Sequence, residues 1–291
     1  MPDAIARIGV IGGTGLYRME GLGDLEEHRV RTPFGDPSDA IVVGTLAGVR
    51  VAFLPRHGVG HRYSPTDVPV RANIYALKSL GVERVISVSA VGSMKEELAP
   101  LDLVVPDQLF DRTVARPRTF FDAEAGCVAH VPLADPFCPD LRGALVAATA
   151  GVDARAHDGG TYLCIEGPQL STRGESRVFR SWGVDVIGMT ALPEARLARE
   201  AELCYATLAL VTDYDVWKED EEPVSVQLVV GRLQRNAAVA QEVLRALVPG
   251  LAGERTCSCG SALQFAIMTD RRLIPDATRR RLDLLIGRYL A

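Results

Sequence analysis

The chain has few cysteines, no long apolar run and no excess of positive charge. Six cysteines in 291 residues are too few to suggest a disulfide-built scaffold. The longest apolar segments, such as residues 206–211, are far shorter than the roughly 20 residues that span a bilayer. Residues 1–7 lack the basic start and long apolar stretch of a secretory signal. These features predict a cytoplasmic protein without a membrane partner.

Acidic residues outnumber basic ones, 37 to 32, and the formal net charge is -5. Nucleic-acid-binding proteins usually carry a basic face, so no nucleic-acid partner is expected. An acidic chain is also an unusual host for an anion. Any anion site must therefore be built locally from backbone amides and a few cations.

Short β-branched segments alternate with helical patterns, and no repeat or low-complexity tract interrupts them. The patterns predict strands over 5–11, 49–54, 85–91, 161–165, 184–187 and 206–211, and helices over 70–81, 193–205, 226–248 and 275–290. This alternation favours a single α/β domain with a mixed or mostly parallel sheet. Sites in such sheets gather where strands end.

Gly12-Gly13-Thr14-Gly15 follows the first predicted strand. Glycines let the backbone approach an anion, and the threonine adds a hydroxyl donor. A dinucleotide fingerprint starting at Gly13 would need glycine where Arg18 stands, and no Gly-Lys-Ser/Thr of a phosphate-binding loop follows. Taken alone, the segment favours a tight turn.

Arg56-His57-Gly58 follows the second predicted strand. Arginine offers a planar fork to phosphate oxygens, and histidine offers a further donor. His61 suggests a metal pair with His57, but Gly58 and Gly60 disfavour the helix that such a pair needs. His61 is therefore interpreted as a solvated loop residue at this point.

Small or hydroxyl-bearing residues end two more predicted strands. They are Ser89 and Ala90 in one strand and Thr190 after the other. Each signal is weak by itself. Together with Arg56 and His57 they suit a tetrahedral anion that is bound without a metal or an organic cofactor.

Asp213 and Asp215 flank Tyr214 directly after the predicted strand 206–211. They could be a solvated loop or a helix cap. They could instead recognise a purine, with one protonated carboxyl donating to N7 and the other carboxylate accepting from an exocyclic amine. Burial beside a second carboxylate would raise the pKa of an aspartate, as general acid catalysis requires.

With these motifs in place, the chain resembles the methylthioadenosine phosphorylases, within the trimeric class of purine nucleoside phosphorylases. The resemblance covers nearly the whole chain. The matching segments are residues 11–16, 56–58 with 61, 71–74 with 76–78, 107–108, 111–113, 165–168, 189–190 with 193–194, and 212–215 with 217.

The resemblance implies a single α/β domain over residues 1–250, with a central mixed, twisted, partly barrel-like sheet flanked by helices. It implies that the extension over 251–291, with its Cys-x-Cys motif and terminal helix, packs on the same domain. It further implies a homo-oligomer, either a trimer or a dimer of trimers. No cofactor is implied, since inorganic phosphate is a co-substrate.

The resemblance also implies roles for individual residues. Phosphate would be held by Thr14, Arg56, His57, Ser89, Ala90 and Thr190. The nucleoside would contact Met189, Ser171, Leu170, Tyr214, His61, Val226 and Val230. Asp213 would act at N7 and Asp215 near the 6-amino group. Leu170 stands where the family usually has a phenylalanine that stacks on the purine, and a leucine offers no aromatic face.

The activity implied by the resemblance is that of a pentosyltransferase. It would split S-methyl-5'-thioadenosine with phosphate into adenine and 5-methylthioribose 1-phosphate. Asp213 favours a 6-aminopurine, and aliphatic Val226 suits a methylthio group. The alternatives are a phosphorylase of 6-oxopurines or methylthioinosine, a phosphorylase of another 5'-modified 5'-deoxyadenosine, a hydrolase, and a non-catalytic nucleoside-binding protein.

Cys257-Ser258-Cys259 leaves several interpretations open. The pair could form a strained, easily reduced disulfide, exchange with other thiols, or remain free. A metal site would need a second ligand pair, which the sequence does not reveal, so no metal is expected. Resemblance to thermostable relatives implies Cys138 and Cys204 as a candidate bridge.

Overall fold

The computed structural model describes residues 4–13, 16, 21–218 and 226–290, with only the backbone described at 226–231 and 233. Within these ranges the strands are β1 (Ile8–Gly12), β2 (Leu22–His28), β3 (Ile41–Leu46), β4 (Val49–Pro55), β5 (Arg84–Ser93), β6 (Leu103–Val105), β7 (Gln108–Arg112), β8 (Ala156–Asp158), β9 (Thr161–Ile165), β10 (Val186–Gly188) and β11 (Cys204–Asp213). The α-helices are α1 (Val70–Ser79), α2 (Pro139–Thr149), α3 (Arg173–Ser181), α4 (Ala191–Glu200), α5 (Val226–Leu247), α6 (Asp276–Arg281) and α7 (Asp283–Ile286).

All these strands belong to one mixed sheet that forks at β5. Its main order is β2-β3-β4-β1-β5-β10-β9-β7, while β11 also pairs with β5 and continues to β6 and β8. The pairs β1–β4, β1–β5 and β5–β11 are parallel, whereas β5–β10 and β6–β11 are antiparallel. The predicted single-domain α/β fold with a mixed sheet is confirmed. In the described part of the chain the sheet does not close into a barrel.

Alternate residues of the central strands enter apolar clusters on opposite faces of the sheet. Ile8 and Val10 of β1 join a cluster with α2 and α5, whereas Ile11 joins a cluster with α1 and α4. β11 is buried along its whole length. A strand covered by helices on both faces reads as a continuous apolar run, which is why β1, β5 and β11 could be predicted.

Two predicted helices end differently in the structure. The helix expected over 193–205 ends at Glu200, and Cys204 and Tyr205 already pair with Arg84 and Val85 of β5. Sheet pairing therefore overrides the helical composition of this segment. The helix expected over 275–290 is broken into α6, α7 and a 3₁₀ turn.

The C-terminal segment after α5 lies against the sheet domain. Leu263, Ile274 and Leu285 are buried in the same cluster as Val85. Glu202, just before β11, accepts hydrogen bonds from the Leu263 amide and the Tyr289 hydroxyl. The boundary at residue 250 stays a prediction. No helix in the described ranges is both long enough and apolar enough to cross a membrane.

Candidate active site

Four predicted site segments follow strands that end at one edge of the sheet. β1, β4, β5 and β11 are linked by parallel pairs, so their carboxyl ends lie side by side. The Arg56 amide donates to the Gly12 carbonyl at 3.0 Å, which joins the first two of these ends. The edge therefore gathers Gly12, Arg56, Ser89 and Asp213.

Ser89 and Thr190 meet although they are about a hundred residues apart. β10 runs antiparallel to β5 with Ile187 opposite Gly92, and this register carries Thr190 back toward Ser89. Their hydroxyl oxygens lie 2.8 Å apart. The structure thus brings together two residues that the strand-end pattern only suggested.

Tyr162 of β9 completes a cluster of three hydroxyls that the sequence reasoning missed. Its hydroxyl lies 3.1 Å from Ser89 Oγ and 3.3 Å from Thr190 Oγ1. Gly188 makes this approach possible, because a Cβ there would lie 2.1 Å from the Tyr162 oxygen. Burial raises the pKa of Tyr162, so the phenol stays protonated and can donate.

Arg56 is buried and its guanidinium is bonded on most sides. Nε donates to Glu194 Oε1 at 2.6 Å, and Nη1 donates to the Val88 carbonyl at 2.9 Å. Burial works to lower the pKa of Arg56, but the Glu194 carboxylate raises it overall. The fork expected to face phosphate is therefore directed at Glu194. Among the described residues, one Nη1 hydrogen is left for an anion.

Glu194, at the start of α4, accepts hydrogen bonds from three side chains, one of which is Arg56. Besides the guanidinium, its carboxylate accepts from the Tyr205 hydroxyl at 2.9 Å and the Ser87 hydroxyl at 3.1 Å. Only 1% of its surface is exposed. These hydrogen bonds fix the position of Arg56. Removing either partner of this buried ion pair would leave an uncompensated charge.

His57 lies half-buried beside Arg56 as a neutral ring. Burial, and next the Arg56 charge, lower its pKa to about 4. Nδ1 lies 2.9 Å from the Tyr63 carbonyl, so it carries the proton and donates there. The ring therefore presents Nε2 as an acceptor rather than the second donor expected from the sequence. His61 stacks on this ring with centroids 4.3 Å apart.

Asp213 ends β11 as a buried carboxyl next to Gly92. It accepts from the Thr212 hydroxyl at 2.6 Å and from the Asp215 amide at 2.8 Å. A Cβ on Gly92 would lie 3.0 Å from Asp213 Oδ1, so the glycine makes room for the carboxyl. Burial raises the pKa of Asp213 despite these donors. This is the environment that a general acid needs.

Asp215 faces polar atoms that have no partner in the described part of the chain. Its Oδ2 is buried there, and the buried hydroxyls of Ser171 and Ser176 lie near the carboxylate without forming hydrogen bonds of good geometry. Burial raises the pKa of Asp215, while the Ser176 hydroxyl nearby opposes the rise. Buried polar groups are usually satisfied, so such a group calls for a ligand or a bound water.

Arg116 organises the loops around Met189 and was also missed. Its guanidinium donates to the carbonyls of Met189 at 2.6 Å and Leu192 at 2.7 Å, and to Glu166 at 3.0 Å. Met189 Sδ in turn lies against Gly167, where a Cβ would be 2.4 Å away. The buried arginine thus fixes the backbone that carries Met189 and Thr190.

The remaining predicted residues are not gathered by these contacts. Leu170 is 54% exposed. Tyr214 packs on Trp217 and donates to the Glu96 carbonyl at 3.3 Å. Ala90 lies beside Ser89 in β5. Thr14 lies outside the described residues, as do the side chains of Val226 and Val230.

A cleft of about 700 Å³ lies on the Trp217 side of the molecule. Its lining residues are Met94, Lys95, Glu96, Glu97, Arg177, Arg180, Ser181 and Trp217. None of the predicted site residues contributes to it. We therefore place the site by the polar groups at the strand ends and not by this cleft.

Comparisons with known proteins identify the family of the chain. The model of the phosphorylase superfamily matches residues 7–249. An S-methyl-5'-thioadenosine phosphorylase of Geobacter sulfurreducens is 56% identical over 284 residues, covering 97% of this chain and 99% of the relative. The enzyme of that name from Koribacter versatilis is 57% identical over 286 residues, covering 98% and 97%.

Solved structures give the same result. A methylthioadenosine phosphorylase from an Antarctic soil metagenomic library superposes with a TM-score of 0.92 at 49% identity, covering 97% of this chain and 99% of that one. The Schistosoma mansoni methylthioadenosine phosphorylase in complex with adenine gives a TM-score of 0.83 at 35% identity, covering 92% and 97%.

Proposed function

Since the chain belongs to the phosphorylase superfamily and, within it, to the S-methyl-5'-thioadenosine phosphorylases, we propose that its strand-end site converts S-methyl-5'-thioadenosine and phosphate into adenine and 5-methylthioribose 1-phosphate. The single observation that carries this proposal is the juxtaposition of two groups across β5. Anion donors lie at Ser89 and Thr190, and a buried carboxyl with a raised pKa lies at Asp213.

The phosphate would lie against the hydroxyl cluster, which is strengthened by the remaining Arg56 hydrogen and by Thr14 and Ala90. The neutral His57 ring cannot donate to it from Nε2 but can accept from a protonated phosphate oxygen. Such a site needs no resident cofactor, because phosphate is itself the co-substrate and nucleophile.

The base would lie against Asp213 and Asp215. As the bond between C1' and N9 breaks, the sugar gains oxocarbenium character and negative charge builds on the purine. A protonated Asp213 donates to N7 and stabilises that charge. The unpartnered Asp215 Oδ2 and Ser171 hydroxyl suit the 6-amino edge, since an amine can donate to both.

The remaining predicted residues are proposed to contact the other parts of the nucleoside. Met189 is proposed to contact the ribose, and Leu170 and Tyr214 to border the base. His61, Val226 and Val230 are proposed to border the 5'-methylthio group. A homo-oligomer of the trimeric class, either a trimer or a dimer of trimers, is proposed from the family to which the chain belongs. The enzyme is proposed to work in the cytoplasm.

The test is base release from a panel of nucleosides with and without phosphate. The panel contains methylthioadenosine, adenosine, inosine, methylthioinosine and a 5'-chloro analogue of adenosine. We expect phosphate-dependent release of adenine, fastest from methylthioadenosine. Release without phosphate would indicate a hydrolase, and binding without release would indicate a non-catalytic protein. A preference for methylthioinosine would contradict the roles of Asp213 and Asp215.

A further inference from the structure

Four cysteine sulfurs converge at the start of β11, at the opposite end of that strand from Asp213. They belong to Cys138, Cys204, Cys257 and Cys259, and all lie within 4.8 Å of one another. The sequence offered the Cys-x-Cys pair without a second pair of ligands. The fold supplies that second pair.

Backbone geometry explains how Cys138 and Cys204 meet. Cys138 directly precedes α2, and its amide donates to the carbonyl of Tyr205 in β11 at 2.9 Å. Cys257 precedes a 3₁₀ turn over Ser258–Ser261, which brings Cys259 back toward the same point. Cys257 Sγ lies 3.3 Å from Cys204 Sγ. Three separate segments of the chain therefore place sulfur at one position.

The size of the cluster fits a tetrahedral metal site. Zinc–sulfur bonds of about 2.3 Å hold the ligands of a four-cysteine site roughly 3.8 Å from one another. The observed sulfurs bracket that spacing, from 3.3 Å for the Cys204–Cys257 pair to the 4.8 Å limit for the whole set. Only a small adjustment of side chains is required for all four to bind one ion.

The cluster is largely buried, and donors lie beside its sulfurs. Cys138, Cys204 and Cys259 are buried, with Cys257 half-buried. The Leu141 amide donates to the Cys138 sulfur. Arg199 Nη1 lies 3.8 Å from Cys259 Sγ. A zinc ion with four thiolates carries a net double negative charge, which these donors offset.

Disulfides account less well for this arrangement. A disulfide joins sulfurs in separate pairs about 2.05 Å apart, whereas here all four surround one point. A bridge within Cys-x-Cys would also be strained and readily reduced, and disulfides are rare in cytosolic proteins. A closed set of four soft sulfur ligands is typical of structural zinc.

We propose that Cys138, Cys204, Cys257 and Cys259 form a structural zinc site that fastens the C-terminal segment to the sheet domain. The site is not catalytic, because the nine residues from Cys204 to Asp213 span about 30 Å in a strand. Zinc acts together with Glu202, which binds the same segment through Leu263 and Tyr289. The proposal does not depend on which nucleoside the enzyme cleaves.

The test measures metal in untagged protein that has been dialysed against Zn²⁺ with a phosphine reductant and then freed of excess metal. We expect one zinc per chain by atomic emission. The variants Cys257→Ser and Cys138→Ser should lose it. Cys127→Ser should keep it, because Cys127 is a buried cysteine outside the cluster. Zinc that is absent from the wild type, or retained equally in the Cys257→Ser variant, would overturn the site.

Two measurements on the wild type keep the test valid if a variant fails to fold. Titration of thiols in denaturant with chelator and without reductant should count six per chain in protein as purified; fewer would mean disulfides and overturn the proposal. Replacement of zinc by Co²⁺ should give the intense visible absorption of a tetrahedral thiolate complex. Weak octahedral absorption would also contradict it.

Discussion

The two ends of β11 differ in whether their buried polar groups have partners within the chain. At its start, Cys204 is surrounded by sulfurs, and the adjacent Glu202 is fully bonded to the C-terminal segment. At its end, Asp213 and Asp215 have raised pKa values, and Asp215 Oδ2 is without a partner in the described chain. One end is arranged for permanent structure, and the other keeps polar capacity for a ligand.

This difference has a physical basis in the sheet. β11 is buried throughout, so a polar group at either end is desolvated and must be compensated. The start is compensated by contacts within the chain, which adds stability. At the end, Asp213 has donors within the chain but Asp215 Oδ2 has none in the described residues, so a bound substrate can supply the missing contact. Substitutions at the end of β11 should therefore lower activity more than stability, and substitutions near its start should do the reverse.

The largest expected effect is on chemistry at the Asp213 end. Asp213→Ala should lower kcat/KM for methylthioadenosine about 100- to 10,000-fold, the range usual for loss of a general acid. Steady-state kinetics measure this, and thermal unfolding should change little. Asp158→Asn, which alters a carboxylate with 57% side-chain exposure on β8, is the control and should leave kcat/KM unchanged. Near-wild-type turnover of Asp213→Ala would remove Asp213 from the mechanism.

The Arg56–Glu194 pair should affect both the stability and the activity of the protein. Glu194→Gln leaves the buried Arg56 charge uncompensated, so unfolding free energy should fall by about 3 kcal/mol. The KM for phosphate should rise at the same time, because Glu194 orients Arg56. Urea unfolding and phosphate kinetics provide the measurements.

The matched control for that change is Glu96→Gln. It removes an exposed ion pair with Arg180, at 3.3 Å, and should cost less than about 1 kcal/mol. Equal losses in the two variants would show that the buried pair has no special role. An unchanged KM in Glu194→Gln would restrict Glu194 to stability.

The stability of the protein should depend on pH through Glu200, a buried carboxyl four residues before β11. Burial raises its pKa from 4.5 to about 7. The folded protein holds this proton more tightly than the unfolded chain, so stability present below pH 4.5 is lost as pH rises through about 7. Glu200→Gln removes the charge and should make the protein up to about 3 kcal/mol more stable than wild type at pH 8. The gain should vanish near pH 4.5, and a gain independent of pH would contradict this cause.

Sequence reasoning identified the site residues that lie near strand ends, and it missed those that strand pairing brings to the site. Ser89 lies in the last part of a predicted strand, and Thr190 and Asp213 come after predicted strands, so their position at one edge could be predicted. Tyr162 and Glu194 could not, because their contacts depend on the register of β9 and the path of α4. The resemblance implied Cys138 and Cys204 only as a candidate bridge, and their meeting with Cys257 and Cys259 could not be predicted for the same reason.

Errors in the predicted elements have a similar origin. The segment around Cys204 is helical by composition, and pairing with Arg84 decides its structure. The tautomer of His57 depends on the Tyr63 carbonyl, a contact that no local pattern encodes. Local preference is therefore a sound guide to strand ends and a poor guide to polar networks between elements.

A smaller effect is expected at Leu170, where a substitution can add a contact to the base. Leu170 is 54% exposed and lacks an aromatic face. If it borders the purine, Leu170→Phe should gain about 1 kcal/mol of stacking, which corresponds to about a fivefold lower KM for methylthioadenosine. The phosphate KM and the unfolding temperature should not change, because the residue lies on the surface. The control Leu25→Phe alters a leucine of 56% exposure on β2 and should leave every constant unchanged. An unaltered nucleoside KM in Leu170→Phe would place Leu170 outside the base pocket and leave Asp213, Asp215 and Ser171 to hold the purine alone.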